Sequence, residues 1–386
     1  MLSQQAIDDT ASRLFEKLIA KDNKAESGKV PGILLGVTYG GNRTYHQFGK
    51  VPLFKNGTVA AQDIVWFIGS NTKVFTATLL GLAGIQSPPL QANCNTAMST
   101  LLPKGTPFHL CNNEAIELWH LATHSAGYPD GPCYQQTFGN YTFPEMECFL
   151  ENFTPTYGPG TAWNYSDQGF ALLGVLLSHA YSYAGIASTT WDSTYMAWPQ
   201  VIADQLISPL NMPSTQPGYG NLGDRLAMPY LYDSAKSTYT ATDPPSFNLQ
   251  SAALGAGSLS STLADMLTFL EAQLSPPSGN VGMAISETQL AHGTGLSMGL
   301  AWAMGKDFFY KNGIINGYAS YMAFNPLWPG VGVVAMANCR SDDDGGTLCN
   351  AGRELLALLS RYPAEPPHFP QADPKPKCPK TLCQNL

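Results

Sequence analysis

"FIGSNTKVFTATLLGLAG", residues 67–84, carries one charge, Lys73. No other Asp, Glu, Lys or Arg lies between Asp63 and Lys104. The stretch reads as a helix inside a core, and a buried ammonium there is costly. It must be paired, or lose its proton and work as a neutral amine. Ser70 stands three positions earlier, one turn away on the same helical face, with Cβ atoms roughly 5–6 Å apart. A serine at a helix start has backbone N–H groups and the positive end of the dipole beside it. A lysine of lowered proton affinity can take or share its proton. This S-x-x-K is unique in the chain; an N-capping serine is the structural alternative.

Two further segments repeat the pattern of one polar function on an apolar background. In "WNYSDQGFALLGVLL", Asp167 is the only charged residue between Glu151 and Asp192, and Tyr165 lies two positions before it. A tyrosine beside a low-pKa lysine can serve as a phenolate-like base, whereas a core tyrosine with an aspartate helix cap is the plainer reading. In "FFYKNGIINGYASYMAF", no charge occurs between Lys311 and Arg340. Lys311 could hold an anionic group while the backbone beyond Gly313 approaches a substrate. The alternative is a hairpin turn at Asn312-Gly313, since Asn-Gly favours type I′.

Taken in order, these segments resemble the serine β-lactamase and penicillin-binding-protein family, in its class C, D,D-peptidase and esterase branch. "SNTK" (70–73) corresponds to S-x-x-K, "YSD" (165–167) to Y-x-N and "KNG" (311–313) to K-T-G. "LATHSAGYPDG" (121–131), "ISPLNMPST" (207–215) and "GAGSLSSTLADMLTFL" (255–270) also match in family order. The similarity spans roughly residues 30–358. It implies Ser70 as nucleophile, with Lys73 and Tyr165 sharing the base role. The oxyanion hole would be the N–H groups of Ser70 and Ile314, and Lys311 would orient a substrate carboxylate and support a low pKa for Tyr165. Asp167, Asn312 and Gly313 would complete the substrate site, without metal or organic cofactor. Two residues depart from the pattern. Asp167 replaces an amide with an acceptor-only carboxylate, and Asn312 lacks the hydroxyl of threonine. Asp167 is expected in the cleft, within reach of Lys73 and of a cationic acyl group; capping the following helix is its alternative.

The implied activity is hydrolysis of an amide or ester, of D-amino-acid peptide, D-amino-acid amide or β-lactam type, through a Ser70 acyl-enzyme. A carboxylesterase or acyltransferase of the same fold, or a slow-turnover β-lactam-binding protein, is the alternative. "GLSMG" (295–299) also satisfies G-x-S-x-G, but that elbow needs a strand, a sharp turn and a helix. The strand-like "GLAWAM" that follows makes Ser297 a decoy. His120 and His124, spaced i, i+4, lack the glutamate and third ligand of a zinc site.

Composition agrees. Of 386 residues, 44% are hydrophobic and only 12% charged, with net charge −8, which disfavours nucleic-acid partners. A small-molecule or peptide substrate is the expected partner, and oligomeric state is left open. No run reaches the roughly 18 apolar residues of a membrane span. "AIDDTASRLFEKLIAKD" is an amphipathic helix rather than a signal peptide, with Met1 standing where a leader could have been removed. Eight cysteines with no CxxC, and five N-x-S/T sequons, point to disulfides and a secreted or periplasmic protein. The expected pairs are Cys339–Cys349 and Cys378–Cys383, with Cys94–Cys111 and Cys133–Cys148 as further candidates.

The expected fold class is α+β: an antiparallel sheet flanked by helices, beside a mostly helical lobe. Residues 1–95 and 250–386 form the sheet lobe, 96–249 the helix-rich lobe and 363–386 a proline-rich tail. "GILLGVTYGGNRTYHQFGKV" reads as a hairpin around Gly-Gly. "SLSSTLADMLTFLEAQL" and "GGTLCNAGRELLALLSRY" read as helices, and "GLAWAM", "FFYKNG", "YASYMAFNP" and "VGVVAMANC" as strands.

Overall fold

The strand Gly32–Tyr39 is buried along its whole length, because it runs inside a sheet covered on both faces. The structure, a computed structural model, describes residues 1–21, 26–86, 90–131, 138–182, 188–293, 295–340 and 345–377. The six strands follow the spatial order Asn42–Gly49, Gly32–Tyr39, Val331–Ala337, Tyr318–Asn325, Phe309–Ile315, Ala303–Met304. Every neighbouring pair is antiparallel. Strands from both ends of the chain therefore share one sheet, and the class is α+β, as expected.

The period of two explains the uninterrupted apolar runs. Ile33, Leu35, Val37, Tyr321, Ala323 and Val333 join the core beneath helices Gln4–Phe15 and Gly346–Ser360. Leu34, Met322, Val334 and Met336 point the other way, into the larger core that includes Leu263 and Leu267 of helix Leu263–Leu274. The Gly-Gly turn is as read: Tyr39 pairs with Asn42, and Gly40 and Gly41 have φ of +56° and +84°. A type I′ turn requires two positive φ values.

Two strand and helix expectations need correction, and one alternative falls away. "SLSS" is not helical; Leu259–Thr262 is a strand pairing with Val65–Phe67, and Thr262 then caps Leu263–Leu274 by accepting from Asp265 N. Of "GLAWAM" only Ala303–Met304 is extended, since Ala301 sits at φ +63°. Asn312 and Gly313 lie in the middle of a strand, paired with Tyr321 and Ser320. The hairpin closes one Asn-Gly later, at 316–317, between Ile315 and Tyr318.

Cysteine pairing also differs. No bridge joins Cys94 to Cys111 or Cys339 to Cys349. Cys148 is disulfide-bonded, while Cys133, Cys378 and Cys383 lie outside the described residues. No described helix is long and apolar enough to cross a membrane.

Candidate active site

Ser70 is placed by the short strand Val65–Phe67, which pairs with Leu259–Thr262 and runs into a 3-10 turn, Gly69–Asn71. Helix Thr72–Ile85 follows, buried on nearly every side. Thr72 and Thr76 anchor it: Thr72 Oγ1 accepts from Leu259 N at 3.1 Å, and Thr76 Oγ1 donates to Gly255 O at 2.7 Å. Gly69 has φ +51°, and a Cβ there would lie 2.8 Å from Ile314 O. The Ser70 turn and the 309–315 strand thus touch backbone to backbone, which only glycine permits.

Lys73 is 0% exposed. Its Nζ donates to Ser70 Oγ at 3.0 Å, Asp167 Oδ1 at 2.5 Å and Ala256 O at 2.6 Å. Three acceptors match the three N–H bonds of an ammonium. Burial lowers this lysine's proton affinity, and Asp167 opposes that by its charge and its hydrogen bond. Tyr165 Oη lies 2.5 Å from Ser70 Oγ and donates to Asp167 Oδ1 at 3.1 Å. A phenol has one proton, so with that proton on Asp167 the short contact must be Ser70 O–H donating to Tyr165. The four groups close a ring: Lys73 to Ser70, Ser70 to Tyr165, Tyr165 to Asp167, and Lys73 to Asp167.

The resemblance implied a Tyr165 of low pKa, and here the electrostatics run the other way. Burial, then the adjacent Asp167 charge, hold the phenol well above its usual range, against the opposing Ser70 hydrogen bond. Tyr165 is a protonated phenol able to pass a proton on. The alternative of Asp167 as a helix cap also fails. Although Asp167 opens helix Asp167–Ser182, Ser166 Oγ accepts from Gly169 N at 2.9 Å.

Lys311, 7% exposed, sits with Nζ 5.0 Å from the centre of the Tyr165 ring and donates to Asn312 O at 3.3 Å. Burial and repulsion from Lys73 bring its pKa down to about 7. A Cβ on Gly313 would lie 2.0 Å from Ile68 O, so the strand presses against the turn that carries Ser70. Ile314, next along, is the residue whose backbone borders Gly69. All the expected site residues, Ser70, Lys73, Tyr165, Asp167, Lys311, Asn312, Gly313 and Ile314, converge on one cleft.

Two cleft residues escaped the sequence reading of roles. His124, 2% exposed and at φ +60°, accepts from Ser166 N through Nδ1 at 3.0 Å, and its ring lies 4.5 Å from that of Tyr165. Burial, with the charges of Lys311 and Lys73, keeps it neutral. Asp130 is solvent-exposed at the cleft, yet the surrounding protein and Asp167 raise its carboxyl to about 6. Its signal lay in "YPDG", which reads equally as a turn. His120 and His124 do not converge on a metal: His120 Nδ1 accepts from Glu117 N at 2.8 Å. Cys94, Glu287 and His292 bring potential ligand atoms within 4.8 Å. There Cys94 Sγ points at Glu287 Oε1 at 4.0 Å, and His292 pairs with the same carboxylate at 3.8 Å. Ser297 shares a positive φ, +51°, with a nucleophile elbow, but strands rather than a helix follow it.

A fold of this class, with a serine, lysine and tyrosine joined at its cleft, is that of a serine hydrolase. The Beta-lactamase family model matches residues 12–358, and the chain belongs to that family. A beta-lactamase of Lysobacter lactamgenus is 29% identical over 150 residues, covering 38% of this chain and 36% of that protein. A beta-lactamase of Escherichia coli (strain K12) is 22% identical over 374 residues, covering 86% and 89%. The chain thus spans about a third of the first relative's length and most of the second's. A solved class C beta lactamase superposes with TM-score 0.71 at 17% identity, over 92% of this chain and 99% of that one.

Proposed function

We propose that this protein cleaves an amide or ester of the D-amino-acid or β-lactam type through an acyl-enzyme on Ser70. The observation that carries the reading is the closed hydrogen-bond ring of Lys73, Ser70, Tyr165 and Asp167. Ser70 Oγ attacks the carbonyl carbon as its proton moves to Tyr165 Oη and the tyrosine's own proton moves to Asp167 Oδ1. The ammonium of Lys73 holds both ends of this path. The oxyanion forms against the backbone N–H groups of Ser70 and Ile314. Collapse breaks the bond to the leaving group, which takes a proton back along the relay, and water then attacks acyl-Ser70 by the same route.

Lys311 is the group for a substrate carboxylate. Both hydrogen bonds to Asp167 fall on Oδ1, and 24% of its side chain stays exposed. Oδ2 and Asp130 together therefore favour a cationic group, such as a free α-amine, on the acyl portion. Residues 1–95 and 250–386 act as the sheet lobe and 96–249 as the helical one, with the cleft between them. The bonded Cys148 and the sequons support a secreted or periplasmic setting.

Nitrocefin, short-chain p-nitrophenyl esters, D-Ala-D-Ala peptides and D-amino-acid amides, assayed in parallel, identify the leaving group. A fluorophosphonate adduct is expected on the peptide containing Ser70. Ser70→Ala abolishes turnover, and Ser297→Ala keeps most of it. Labelling at Ser297 would overturn the assignment.

A further inference from the structure

A cavity of about 140 Å³ opens beside Lys311 and Asn312, and one of its walls comes from outside the stretch that defines the family. That wall is Phe369. Its ring stacks on Trp163 at 4.5 Å and 15°. The backbone fixes it there: Trp163 N donates to Pro370 O at 2.8 Å, and Ala372 N donates to Trp163 O at 3.0 Å. The proline-rich tail thus adds a short strand-like pairing next to Tyr165. Tyr310 and Met298 line the remaining apolar surface.

The polar groups around this cavity include donors. His124 Nδ1 accepts from a backbone N–H, so the ring's proton is on Nε2. Among the described residues that Nε2 has no hydrogen-bond partner, and neither has the Nε1 of Trp163. Both are buried. Lys311 adds an ammonium. An aromatic wall beside a cation matches a planar apolar group bearing a carboxylate.

We propose that this cavity is a subsite for an aryl carboxylate portion of the substrate. The ring lies against the Trp163–Phe369 wall, and the carboxylate faces Lys311. The proposal rests on the acyl-enzyme reading only for the direction from which Ser70 meets the scissile bond; binding itself needs no nucleophile.

The test uses the full chain carrying Ser70→Ala, titrated with 2-naphthoate, 2-naphthol and acetate by calorimetry and tryptophan fluorescence. The expected result is 2-naphthoate binding at least tenfold tighter than either of the other probes. Phe369→Ala should weaken 2-naphthoate about tenfold and leave acetate unchanged, with Phe369→Leu recovering part of the loss. Equal affinity for 2-naphthoate and acetate would overturn the subsite. So would an unchanged ratio in Phe369→Ala, or loss of acetate binding in both Phe369 variants, which marks the tail as structural. Fluorophosphonate labelling of the unsubstituted protein is run beside it. No label on Ser70 with 2-naphthoate binding intact refutes the nucleophile alone.

Discussion

Asp167→Asn is the change that most directly probes the site, because it alters charge and little else. The amide oxygen of asparagine can still accept from Lys73 and Tyr165, so the ring keeps its shape. What goes is the counter-charge of an ammonium that is 0% exposed. At the observed 2.5 Å, an effective dielectric of about 20 gives an attraction of roughly 6–7 kcal/mol before desolvation. Partial exposure of Asp167 screens this, and Lys73 can escape by releasing its proton. The net cost at pH 7 is therefore about 2–3 kcal/mol, below the 3–5 kcal/mol of stranding a buried charge. For a chain of this length a fall in Tm of roughly 2–4 °C follows.

The sign of the pH dependence is fixed by the same step. In the variant, Lys73 has a still lower proton affinity when folded than when unfolded. The unfolded chain then binds more protons, and the variant gains stability relative to the parent as pH rises. The relay has lost its terminal carboxylate, a base worth about 10²–10⁴ in rate. Neutral Lys73 can replace it only once deprotonated. Melting curves and kcat with p-nitrophenyl acetate, measured from pH 6 to 9.5, should show both deficits closing together on the alkaline side. A variant as stable and as active as the parent at pH 6 would refute Asp167 as counter-ion and as proton acceptor. A deficit in stability that does not change with pH would refute the link to Lys73.

Two other outcomes are expected. Lys311 carries its charge below about pH 7, so kcat/KM for carboxylate-bearing substrates should decline above that pH, approaching tenfold per unit. Neutral p-nitrophenyl acetate should lack this limb, and a shared limb would remove Lys311 from anion binding. Gly313→Ala places a Cβ 2.0 Å from Ile68 O, an overpacking worth about 1–3 kcal/mol. Because the strand must move off the Ser70 turn, kcat should drop by roughly 10²-fold through the oxyanion hole; unchanged kcat would detach Ile314 from that role.

The cleft was legible in the sequence because its charges are isolated. Lys73, Asp167 and Lys311 each stand alone on an apolar background, and such charges cannot be buried without partners. Their convergence in one cleft follows from that demand. Strands were legible where burial alternates about the sheet, as in Gly32–Tyr39. They were misread where a serine-rich run has no apolar period, as at Leu259–Thr262, and where alternation is broken by a positive φ, as at Ala301. Asn312-Gly313 lies in a strand, as "FFYKNG" reads, rather than in the alternative hairpin turn. Its turn propensity is local, whereas the strand there is imposed by pairing with Tyr318–Asn325 and by contact with the Ser70 turn.

What sequence could not supply is direction. The pKa of Tyr165 depends on which charge stands nearest its hydroxyl, and a list of motif residues does not order them by distance. Lys73 and Lys311 approach the ring at 5.0 Å each, whereas Asp167 reaches the hydroxyl itself at 3.1 Å. Burial and that adjacent carboxylate are what raise the phenol's pKa. Substituting Asp for Asn at position 167 thus does more than trim an amide from the substrate pocket. It also puts a negative charge beside the Tyr165 hydroxyl, which holds that phenol in its protonated form. Phe369 makes the same point from the other side. Nothing in a proline-rich tail marks it as part of a catalytic cleft, and only its pairing with Trp163 puts it there.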